Sequence, residues 1–166
     1  MFIKLLYRRF LWAVLFLLIG SCEKSDPVDP TPVELEFQNC LVETGEGSFD
    51  IITWNLREFP IRGDHTLRNA ADIILSQDAD LVAFQEITER PDFQELLTLL
   101  PGWEGNLDLV SGLNLAYIYK TSEVNTVGEP ERLFEDDPYI FPRAPLLLSA
   151  RHTGGLELYL INIHLK

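Results

Sequence analysis

The sequence predicts an α/β fold whose core is a mixed sheet covered by helices, or two packed sheets flanked by them. Two observations carry this. Early in the chain a β-branched and aromatic run, an amphipathic stretch and a second apolar run follow one another, the pattern of a strand–helix–strand unit with a parallel strand pair. Further on, apolar runs come in pairs separated by glycine turns, the mark of antiparallel hairpins. With 166 residues, 46% hydrophobic and 23% charged, the composition is globular and the length is that of one domain.

The elements follow in order. Phe49 to Asn55 is β-branched and aromatic and predicts a strand. Leu67, Ala70, Ala71, Ile74 and Leu75 recur at helical spacing and predict a helix over Thr66 to Gln77, with Asp64 or Thr66 as its cap. Leu81 to Glu86 is a short apolar run, a buried strand. Pro91 to Leu100 predicts a second helix, because proline suits a first turn, and Pro101-Gly102 ends it. Trp103 to Val110 and Leu113 to Lys120 form a hairpin about Ser111-Gly112. A further strand is expected near Asn125 to Phe134, followed by a loop at Glu135-Asp136-Asp137-Pro138. Ala144 to His152 and Leu156 to Leu165 form a last hairpin about Thr153-Gly154-Gly155. This last strand is apolar enough to predict a central place in its sheet.

The chain opens differently. Lys4, Arg8 and Arg9 precede an apolar run, Phe10 to Ile19, of about ten residues, half of the ~20 needed to span a bilayer. Ile19-Gly20-Ser21-Cys22 follows and resembles the lipobox of bacterial lipoproteins. The expectation is a signal peptide over residues 1–21, lipidation at Cys22, and export to the outer membrane, on its periplasmic or cell-surface side. Residues 22–47 hold Pro27, Pro30 and Pro32 among acidic residues and predict an extended tether. Residues 48–166 are then the folded domain. Cys40 is the one remaining cysteine, so no intrachain disulfide is expected.

Charge narrows the function. The net is −13, and removing the three basic residues of the leader leaves about −16. Proteins that grip long nucleic acid through its phosphates present a basic face. Such a balance favours a small phosphoester, held locally by a metal and one or two cationic side chains.

Three apolar strands carry polar residues at their ends: Asn55, Gln85-Glu86, and the pair Asn162 and His164. Period two puts Asn162 and His164 on one face with Leu158 and Leu160. Buried polar groups are costly unless paired or metal-bound, so convergence on a site is one explanation. Each residue also has a plainer one. Asn55 could cap a turn, Glu86 could be the first exposed residue after its strand or cap the next helix, and His164 could be a satisfied core histidine. Arg143 could be an ordinary loop arginine. His65 and His152 read as surface residues.

Taken together, Ile52-Thr53-Trp54-Asn55-Leu56, Ala83-Phe84-Gln85-Glu86-Ile87, Arg143-Ala144-Pro145 and Ile161-Asn162-Ile163-His164-Leu165 resemble the endonuclease/exonuclease/phosphatase superfamily, the deoxyribonuclease I-like fold. The resemblance covers residues 49 to 166. It implies an α/β sandwich of two packed mixed sheets flanked by helices, and a metal-dependent phosphoesterase. It implies Glu86 as ligand of the catalytic cation, Asn55 beside that cation, His164 and Arg143 on the phosphate, and Asn55 and His164 in catalysis. The implied cofactor is magnesium, with manganese as the alternative; both suit oxygen ligands. Implied substrates are nucleic acid, a phospholipid headgroup or an inositol phosphate, and mono- and diesters stay open. The family's Gly-Asp-x-Asn and Ser-Asp-His segments, which orient and activate water, do not occur in these 166 residues. The expectation is therefore the N-terminal part of such a domain, inactive and poorly soluble by itself, and a monomer when complete. The competing expectation is a non-catalytic surface lipoprotein that binds a ligand.

Overall fold

The computed structural model describes residues 48–110 and 112–165. The expected signal peptide, Cys22, the tether and Cys40 lie outside the described residues. No helix among the described residues is long and apolar enough to cross a membrane.

The order is β1 (Ile51–Phe59), α1 (Asp64–Gln77), β2 (Leu81–Ile87), α2 (Arg90–Thr98), β3 (Trp103–Asp108), β4 (Asn114–Lys120), β5 (Val124–Thr126), β6 (Glu131–Arg132), β7 (Leu146–His152) and β8 (Glu157–Asn162). Two sheets form. The first has the order β1-β2-β4-β3 and is mixed: β1 and β2 run parallel, and β4 is antiparallel to both β2 and β3. The second is antiparallel throughout. Strand β8 pairs along Leu146–Arg151 of β7, while β5 and β6 pair with the two ends of β7.

Alternation assigns the faces. Val82 and Phe84 of β2, with Ala116 and Ile118 of β4, point at the helices and meet Leu67, Ala70, Ile74, Phe93 and Leu96. The opposite face carries Leu81, Ala83, Leu115, Tyr117 and Tyr119, which pack on Leu146, Leu148 and Ala150 of β7. The result is a sandwich of two sheets, with the helices over the first.

Several expectations need adjusting. Helix α1 begins at Asp64 after Gly63, whose φ of 55 places it in the left-handed region, and no side chain caps it. Thr66 Oγ1 instead accepts the Arg62 backbone N–H at 3.1 Å. Pro91 does lie in the first turn of α2. The strand expected near 125–134 is two short pieces, because Gly128 and Pro130 interrupt it. Strand β8 stops at Asn162. Among the described residues it pairs with β7 alone, so it is an edge strand here rather than a central one.

Candidate active site

The site is built where β1 and β2 end, and local backbone irregularity aims it. Asn55 is paired with Gln85, but the next pair is Phe59 with Ile87, so β1 spends extra residues there. On the other side Gln85 pairs with Leu115 and Ile87 with Asn114, leaving Glu86 as a bulge residue. Arg57, Glu58 and Glu86 have φ values of 49, 54 and 65. A non-glycine residue in that region is strained by roughly 1–3 kcal/mol, and bulges of this kind re-aim side chains.

The strain brings hydrogen-bond donors onto one carboxylate. Asn55 Nδ2 donates to Glu86 Oε1 at 3.0 Å, and the Glu58 backbone N–H donates to Glu86 Oε2 at 3.1 Å. Asn55 is fixed in turn, since its Oδ1 accepts the Arg57 N–H at 2.9 Å. His164 Nε2 lies 3.2 Å from Glu86 Oε1 and 3.4 Å from Asn55 Nδ2. With a proton on Nε2 the imidazole donates to the carboxylate, the shorter of the two contacts. Its Nδ1 is buried without a partner. The Asn55 hydrogen bond, above all, holds the Glu86 carboxyl below the ordinary carboxylate value. Burial opposes this, and the Glu58 N–H and the charges of His164 and Arg143 add to it.

Arg143 stands on the loop before β7. It lines a cleft of about 170 Å³ with Asn114, Arg132 and Phe141 among others, and its charge reaches Glu86. Arg132 in that cleft is occupied by Asp108, 2.6 Å away, and by Glu135 at 3.2 Å. The four residues singled out in the sequence thus gather at one end of the sheets. His65 is exposed, as expected. His152 is not a surface residue: its side chain is 15% exposed, 3.5 Å from Glu123 Oε2 and tilted against Phe49. No residue pattern marks the Glu58 N–H as a partner of Glu86, because that role depends on backbone conformation rather than residue type.

Among the described residues no three His, Cys, Asp or Glu side chains converge as a metal cage. The donors present are still the oxygen donors that magnesium or manganese takes, one carboxylate and one carboxamide, with water completing the shell. Glu86 fits this directly. Asn55 Oδ1 would have to turn from the Arg57 N–H to join it.

The sequence matches the Endonuclease/Exonuclease/phosphatase family over residues 52–155. The chain belongs to this family. No curated protein matches it. Solved structures with the deoxyribonuclease I-like fold do. TDP2 from Caenorhabditis elegans is 20% identical with a TM-score of 0.58, over 75% of this chain and 38% of that one. D. rerio TDP2, solved with a single-strand DNA product, is 19% identical with a TM-score of 0.56, over 68% and 44%. ANGEL2, a 2′,3′-cyclic phosphatase solved with adenosine-2′,3′-vanadate, is 17% identical with a TM-score of 0.53, over 71% and 41%. This member of the family spans less than half the length of these structures.

Proposed function

We propose that the cluster about Glu86 is the metal- and phosphate-binding part of a phosphoesterase site, in a protein carried to the outer membrane as a lipoprotein through Cys22. The observation that carries the first part is the Glu86 carboxylate, kept ionised by two N–H donors at the ends of two parallel strands, with His164 and Arg143 beside it. Glu86 would hold a magnesium or manganese ion, with Asn55 beside it; the bound cation supplies charge neutralisation at phosphoryl oxygens. His164 would turn a ring N–H from Glu86 to a phosphoryl oxygen. Arg143, whose guanidinium has no ion pair among the described residues, offsets negative charge on the same group. The substrate is a phosphoester: a nucleic-acid end, a phospholipid headgroup or an inositol phosphate. The water-activating segments are absent from these 166 residues, so binding without turnover is expected of them.

Calorimetric titration of the chain with Mg2+ and Mn2+ tests this. The Glu86→Gln chain should bind at least about tenfold more weakly. Equal affinities would remove Glu86 from the metal role.

A further inference from the structure

Two buried amides stand one and two residues before site residues, and they are bonded to each other. Gln85, one residue before Glu86, is 7% exposed; Asn162, two before His164, is 4% exposed. Gln85 Nε2 donates to Asn162 Oδ1 at 2.7 Å, and at longer range to Thr53 Oγ1 at 3.2 Å and the Ala83 carbonyl at 3.3 Å. Asn162 Nδ2 donates to the carbonyls of Phe84 at 2.8 Å and Ala116 at 3.2 Å. Gln85 belongs to the first sheet and Asn162 to the second. Their bond therefore crosses the apolar layer formed by Leu81, Ala83, Tyr117, Leu146 and Leu148.

We propose that Gln85 and Asn162 are positioning residues, which set the offset between the two sheets so that His164 meets Glu86. The geometric claim stands on the contacts above; what the aligned pair is for rests on the phosphoesterase reading. Apolar packing between sheets is non-directional, so a small slide of one sheet over the other changes its energy little. A hydrogen bond at 2.7 Å is far less tolerant of such a slide. His164 lies beyond the end of β8 and has no strand partner, so its place is inherited from Asn162. Glu86 sits on a bulge, so its place is inherited from Gln85. The sheets have a second polar tie, the Tyr117 hydroxyl donating to the carbonyls of Leu146 and Leu160 at 2.9 Å each. The hydroxyl also takes a hydrogen bond from the Asn162 backbone. Removing it loosens the sheets at the backbone while leaving the Gln85–Asn162 side-chain bond in place, so it serves as the comparison.

The experiment compares full-length wild type, Q85M, N162L and Y117F. Three quantities are measured: the unfolding midpoint, the imidazole ring NMR resonances of His164 without metal, and Mg2+ affinity. Y117F should lower the midpoint while leaving the His164 resonances and the metal affinity close to their wild-type values. Q85M and N162L should move the His164 ring resonances to positions typical of an imidazole with no carboxylate partner, and weaken Mg2+ about 10- to 100-fold. If Q85M does not fold, Q85N, which withdraws the amide by one methylene, is read in the same way. Unchanged His164 resonances in the folded amide variants, or an equal displacement in Y117F, would overturn the proposal. Absence of Mg2+ binding in the wild type would refute the phosphoesterase reading instead, and the metal-free resonances would still decide the positioning role.

Discussion

Glu86 is held ionised by its neighbours against a burial that works the other way, and this has a consequence for stability. Its folded-state value lies below the ordinary 4.5, so the native state favours the carboxylate more than the unfolded chain does. The stabilisation is present above the unfolded value and is lost as pH falls through the folded one. In metal-free thermal unfolding between pH 7 and pH 3, wild type should lead the Glu86→Gln chain near neutrality. The lead should close as the pH drops below about 4.5. A constant difference across that range would show that the carboxylate's charge is not what the site stabilises. Glu86, Asn55 and His164 were legible as polar endings on apolar strands, because such endings are unusual enough to need a reason. The Glu58 N–H was not, since a backbone donor carries no mark in the residue that owns it.

At the scale of elements, the hairpin of β3 and β4 shows how closely the helices approach the first sheet. A Cβ built on Gly105 would meet the Tyr117 carbonyl oxygen at 2.7 Å, Phe93 Cζ at 2.8 Å and Ile118 Cγ2 at 2.9 Å. The carbonyl belongs to the strand ladder and cannot retreat. Gly105→Ala should therefore destabilise the domain by about 1–3 kcal/mol in chemical denaturation, the range for overpacking. A stability equal to wild type would mean the hairpin has room the packing does not suggest. The run of strands and helices was readable from period and punctuation, because burial of one face imposes both. The ends of elements were less so. Asp64 and Thr66 each have the chemistry of a cap, yet Gly63 stands at that position, since the turn from β1 needs a left-handed residue there.

At the scale of the molecule, the second sheet leaves an apolar surface open among the described residues. Tyr159 is 72% exposed, Ile161 53% and Leu165 68%, along and just beyond an edge strand. Exposed apolar edges are templates for association. Ile161→Lys should raise the concentration at which the chain stays monodisperse in light scattering, with an unfolding midpoint close to that of wild type. A lower solubility, or a large loss in midpoint, would show that this face is already covered within the chain.

The sequence by itself determined the α/β class and the family, and it marked the polar strand ends that the structure brings together. Periodicity records which faces are buried, and a polar group at the end of an apolar strand records an obligation to find a partner. Only the tertiary structure decided how those residues meet. The bulge at Glu86, the left-handed Arg57 and Glu58, and the Gln85–Asn162 bond across the sheets all arise from chain segments distant in sequence. Hydrogen bonds of this kind depend on offsets of about an ångström between sheets. No residue pattern encodes such an offset; it is settled when the two apolar faces close on one another.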